Sequence, residues 1–61
     1  MTARELEKIL LNNGFILDRK SGSHKIYVKD GVPPISVPFH GGKDIKKGTL
    51  NSILKTAKIK Q

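Results

Sequence analysis

The segment FILDRKSGSHKIYVKDGVPPISVPF, residues 15–39, alternates β-forming runs with turn chemistry. Phe15 to Lys20 and His24 to Lys29 are joined by Ser21-Gly22-Ser23 and predict an antiparallel hairpin. A third run, Ile35 to Phe39, follows Asp30-Gly31-Val32-Pro33-Pro34. Prolines cannot donate to a strand ladder, so those five residues read as a loop or a sheet edge. Three antiparallel strands result. Requiring apolar side chains to share one face sets the register. Phe15 then faces Val28 and Leu17 faces Ile26, while Ile26 also faces Val37 and Val28 faces Ile35. These six form the expected core face, with Ile16 opposite Tyr27 and Asp18 opposite Lys25 on the other. In this register His24 lies on the core face opposite Arg19 and close to Phe39. Strict alternation then points His24 and His40 to opposite faces.

Outward from the sheet, Thr2-Ala3-Arg4-Glu5 has the spacing of a capping box and predicts a helix over about residues 2–13. Ala3, Leu6, Ile9 and Leu10 share its apolar face, with Arg4, Glu7, Lys8 and Leu11 away from the centre. Asn12-Asn13-Gly14 ends it, because Gly14 accepts the left-handed conformation without a Cβ penalty. After strand three, Gly41-Gly42 break the chain and Asp44 is placed to cap a second helix carrying a Leu50, Ile53, Leu54, Ala57 stripe. Lys43, Lys46 and Lys47 cluster at its start. Each cation there opposes the helix dipole by about 0.3–1 kcal/mol when exposed, and a bound anion offsets that cost. The predicted architecture is α+β, ordered α-β-β-β-α, one domain over residues 1–61 with both helices on one face of the sheet. This order resembles the double-stranded-RNA-binding domain, in which lysines at the start of the second helix reach phosphates across the major groove.

Composition narrows the function. The chain has 61 residues, with 12 Lys plus Arg against 5 Asp plus Glu, and a net charge of +7. So short a chain buries only about 60% of the surface its unfolded form exposes, which leaves no room for a deep pocket of the NAD, flavin or haem kind. It has no Cys, hence no disulfide framework, Cys-based zinc site or thiol nucleophile. Apolar runs such as Ile9 to Leu11 fall far short of a membrane span, and no charged leader precedes an apolar stretch. The expectation is a cytoplasmic protein with no membrane partner. Its basic excess favours a polyanion, either nucleic acid or an acidic protein that masks the same surface.

The chemical inventory is small. No metal site is expected: His24 and His40 lack a zinc constellation, and Asp18, Asp30 and Asp44 are scattered over a strand, a turn and a cap. RNA cleavage needs no metal, because the 2′-hydroxyl is a built-in nucleophile requiring proton transfers and charge stabilisation. A histidine suits either transfer, for roughly 10²–10⁴-fold in rate. His24 follows a turn, Gly22-Ser23, whose backbone can approach a phosphate, and is flanked by Lys20 and Lys25. It reads equally well as a polar residue at the fringe of the apolar face. His40 reads first as a cap or phosphate contact. Phe39 is either a base-stacking platform or core, and Ser23 has no His–acid pair to activate it.

Gly14-Phe15 after a first helix, Gly22-Ser23-His24 opening the second strand, Val37-Pro38-Phe39-His40 followed by Lys43, and Ile45-Lys46-Lys47-Gly48-Thr49-Leu50 with Ile53-Leu54 resemble the HicA toxins. That resemblance implies an mRNA interferase of a toxin–antitoxin pair with a double-stranded-RNA-binding-like fold. It puts His24 on the family's catalytic histidine and His40 on a second histidine of the family pattern. It further implies a HicB-type antitoxin that blocks the active surface, promoter DNA being engaged only through the antitoxin. The expected activity is a cofactor-free, metal-independent endoribonuclease with His24 as general acid/base. Arg19, Lys20 and Lys25, with Gly22 and Ser23, would hold the scissile phosphate, and His40, Lys43, Lys46 and Lys47 the flanking strand. The competing expectations are a non-catalytic RNA-binding module on the same fold and a basic protein-interaction domain.

Overall fold

A computed structural model describes residues 1–40 and 42–59. Its elements are α1 (Ala3–Asn12), β1 (Ile16–Ser21), β2 (His24–Lys29), β3 (Val32–Pro38) and α2 (Lys47–Thr56). The strands form one antiparallel sheet in the order β1-β2-β3. Ala3, Leu6 and Leu10 of α1 and Ile53 and Leu54 of α2 enter one core with Phe15, Tyr27, Ile35, Val37, Ile45 and Ala57, so both helices cover the same face of the sheet. This is the expected α-β-β-β-α order. Among the described residues no helix is long and apolar enough to cross a membrane.

Local chemistry sets the helix ends. Thr2 and Glu5 close the capping box: the Glu5 amide donates to Thr2 Oγ1 at 3.2 Å and the Thr2 amide donates to Glu5 Oε1 at 3.0 Å. Those bonds hold the Glu5 carboxyl below its ordinary value, the Thr2 backbone bond foremost. Asn13 and Gly14, at φ +88°, end α1 as the sequence predicts. The expected Asp44 cap is absent. Asp44 instead bridges to Thr2, with its carboxylate 3.8 Å from the N-terminal ammonium, and the Ile45 amide donates to the Met1 carbonyl at 2.8 Å. These links tie the segment before α2 to the chain's start and bury Ile45; α2 then begins after Lys46, with no side chain capping it. Of the expected Gly41-Gly42 break, Gly42 has φ +86°, and Gly41 lies outside the described residues.

The sheet differs from its expected register by one residue. Tyr27 pairs with Ile35 and Lys25 with Val37, while Ile16 pairs with Val28 and Leu17 with Tyr27. Because side chains alternate along a strand, a one-residue slip exchanges the two faces of β2. Tyr27 is therefore fully buried under the helices, and Ile26 and Val28 lie half-buried on the other face. Leu17, expected in the core, pairs with Tyr27 on edge strand β1 and is 47% exposed. β3 also starts earlier than expected and takes in Pro33 and Pro34, which an edge strand tolerates because its outer side needs no donors. The register between β1 and β2 shifts again between Leu17 and Arg19, leaving Asp18 unpaired in a bulge.

Packing explains the choice. Burying a tyrosine removes about 150–250 Å² from water, more than Ile26 or Val28 offers singly, provided the hydroxyl finds a partner. That partner is Glu7, whose Oε2 accepts from the Tyr27 hydroxyl and, at 3.4 Å, from Lys25 Nζ. Glu7 was expected away from the apolar face of α1. Yet it lies four residues after Ala3 and three before Leu10, within the buried stripe. The two lysines flanking Tyr27 on its face lay their stems along the core. Lys25 Nζ sits 4.4 Å from the Phe39 ring centre and Lys29 Nζ 5.5 Å from that of Phe15.

Burial, then the Glu7 bond, then the Glu7 charge push the Tyr27 hydroxyl far above its ordinary value near 10. A raised folded-state value means that the unfolded chain loses this proton first. Stability from this group is therefore complete below about pH 10 and falls as pH rises past it. Tyr27→Phe is expected to cost about 1–3 kcal/mol at neutral pH through the lost bond to a carboxylate. It should also flatten the alkaline fall in stability relative to the parent, read by urea unfolding at pH 7 and pH 10.5.

Candidate nucleic-acid interface

The titratable pair, His24 and His40, lies at one end of the sheet. β1 and β2 are closed by the two-residue loop Gly22-Ser23 between the paired Ser21 and His24. Gly22 supplies a φ of +58°, and no atom lies within 4 Å of where its Cβ would stand. Conformation, not crowding, therefore favours glycine there, and the surface above it is open. The corrected register takes His24 off the core face: it is exposed, opposite Ser21 on one side and Pro38 on the other.

The same correction joins the two histidines. The Phe39 amide donates to the Ser23 carbonyl at 2.7 Å, continuing the β2–β3 ladder one step past Pro38. With Val37 inside, alternation sends Phe39 back towards the core, where it is half-buried, and His40 follows beyond the end of β3, exposed and near His24. Their ring centroids lie 6.3 Å apart with planes at 83°. Phe39 is thus a core residue bearing the Lys25 ammonium, as one of its two sequence readings required.

The basic residues divide into three groups. Arg19 pairs with Ile26 rather than His24, but the Asp18 bulge puts it on the open face, two positions along from His24. Its guanidinium contacts Asp18 at 3.6 Å, so the expected Asp18–Lys25 pair does not form. Lys20 is exposed and paired with Lys25 on the helix-side face. Lys25 is held by Glu7 and Phe39 and, with Arg4, Thr2 and His40, lines a groove beside α1. A second groove runs from Pro38 and His40 past Lys43, Asp44 and Lys46 to Thr49. Lys43, Lys46 and Lys47 are all exposed at the start of α2. His40 borders both grooves.

Sequence reasoning missed Arg4 and Glu7 at this site. The available signal was a carboxylate inside an otherwise apolar helical stripe, at the spacing that faces a buried strand. Among the described residues no group of three His, Asp or Glu side chains is placed to hold a metal ion.

A family model described as HicA toxin of bacterial toxin–antitoxin matches residues 3–59. Among solved structures, a chain of a toxin–antitoxin complex from Streptococcus pneumoniae is similar at 33% identity and a TM-score of 0.83, the match covering 97% of this chain and 98% of that one. Curated protein sequences offer no match. With 57 consecutive positions, residues 3–59, inside the family model, the chain belongs to the HicA family of toxins of bacterial toxin–antitoxin systems.

Proposed function

We propose that this toxin is a metal-independent endoribonuclease acting on mRNA, formed by one domain over residues 1–61 and working without a cofactor in the cytoplasm. The observation that carries the reading is an exposed histidine at the mouth of an open glycine turn, with a second imidazole 6.3 Å away that borders two grooves carrying Arg4, Lys25, Lys43 and Lys46. His24 acts as the general acid/base and takes the proton from the 2′-hydroxyl. The oxygen then attacks the adjacent phosphorus. Arg19 lies on the same face and, with Lys20 and the Gly22-Ser23 backbone, holds the scissile phosphate. Lys25 acts from the groove beside α1, steadying Phe39 and the turn into His40. Lys43, Lys46 and Lys47 hold the flanking strand, with His40 beside it. A HicB-type antitoxin silences the enzyme by covering this face, and promoter DNA is engaged only through that antitoxin.

Attack by the 2′-oxygen dictates the products, a 2′,3′-cyclic phosphate and a 5′-hydroxyl. The test is incubation of the purified protein with a long single-stranded RNA in EDTA, followed by end analysis. Cleavage with those ends supports the reading. Ends bearing 5′-phosphate sink it, and salt-sensitive binding without cleavage assigns the chain to a non-catalytic RNA-binding module.

Each lysine on a phosphate adds about 0.7 to the magnitude of the log–log salt slope on single-stranded RNA. Lys43→Ala is expected to lower that slope by about this amount with little change in sequence preference, since phosphate contacts carry no base information. A salt titration with an unchanged slope removes the start of α2 from the binding surface.

A further inference from the structure

We infer that His40 is the second proton-transfer residue of this site, the general acid that protonates the departing 5′-oxygen while His24 acts as base. The inference rests on the ribonuclease reading above. Three observations carry it. The register of β2 against β3 puts His24 on the open face, and the bond from the Phe39 amide to the Ser23 carbonyl holds the third strand's continuation beside it up to the residue before His40. The rings stand edge to face with centroids at 6.3 Å. Proton transfer occurs over about 2.6–3.2 Å between heavy atoms, so two rings at this spacing bring both oxygens of one phosphodiester within reach. Both rings are exposed, and among the described residues neither takes part in a side-chain hydrogen bond or ion pair.

The grooves assign the roles. From His40 the cationic groove continues past Lys43 and Lys46. A strand lying there presents its next phosphates to those lysines and its 5′-oxygen to His40, while the 2′-hydroxyl falls on the side of the Gly22 turn and His24. The step balances. The O2′–P bond forms as the P–O5′ bond breaks, the 2′-proton passes to neutral His24, and the proton of charged His40 passes to O5′. Exchange with water then resets both rings.

The test separates an acid from a phosphate contact. Parent, His24→Ala and His40→Ala are assayed on an oligonucleotide with one ribonucleotide, and on the same molecule with sulfur in place of the departing 5′-oxygen. A thiolate leaves without a proton. On the ordinary substrate both variants are expected to lose about 10²–10⁴-fold in rate. On the sulfur substrate His40→Ala is expected to return to within about tenfold of the parent, and His24→Ala to remain impaired. Parent-like cleavage of the ordinary substrate by His40→Ala, or equal losses on both substrates, overturns the assignment. A parent that cleaves neither substrate refutes the ribonuclease reading itself. Circular dichroism of each variant verifies the fold.

Discussion

His24→Ala is expected to reduce RNA cleavage about 10²–10⁴-fold, the contribution of one positioned acid/base group, while leaving RNA affinity and its salt dependence close to the parent's. The separation is physical. His24 is exposed and makes no core contact, so its removal costs the fold within about 0.5 kcal/mol. In the proposed reading RNA affinity comes from the cations lining both grooves, and His24 lines neither. Parallel nuclease and filter-binding assays read the two quantities. Cleavage at the parent's rate would remove His24 from the chemistry, whereas loss of binding together with cleavage would make it a contact residue.

Tyr27→Ala is the change with the largest expected effect on stability, about 3–5 kcal/mol. At roughly 0.05–0.15 kcal/mol per residue, 61 residues hold only about 3–9 kcal/mol in all, so this variant should lose from about a third to the whole of the chain's stability. Two losses add: the cavity under both helices and the bond that satisfies Glu7. Ile26→Ala, one residue away on the half-buried face, is expected to cost about 1 kcal/mol. Urea denaturation of the pair is a direct measurement of register. The opposite ranking would mean that Ile26 faces the helices, and His24 with it, which would take the histidine pair apart.

Much of the architecture was legible in the residues. The Thr2–Glu5 box, Gly14 after α1, the Gly22 turn and the bounds of β2 all rest on interactions within a few residues. Asp44 was misread because a helix cap and a bridge to a distant backbone use the same carboxylate-bearing residue, and only the chain's return to Thr2 selects the bridge. Glu7 was misread because a charge was assigned to solvent although its spacing faced the sheet.

The basic charge, the two helices, the three strands and the candidacy of His24 follow from the amino-acid sequence by itself, since composition, capping and turn chemistry are local. Which face of β2 turns inward was decided only by the tertiary structure. Both alternate rows of that strand hold apolar residues, Ile26 and Val28 in one and Tyr27 between two lysines in the other, so periodicity is nearly balanced. The balance is broken from outside the strand. Glu7 on α1 accepts the Tyr27 hydroxyl and Lys25, and Phe15 and Phe39 take the lysine ammoniums over their rings. That packing buries the larger ring with its polar atom satisfied and, by turning the strand over, puts His24 beside His40.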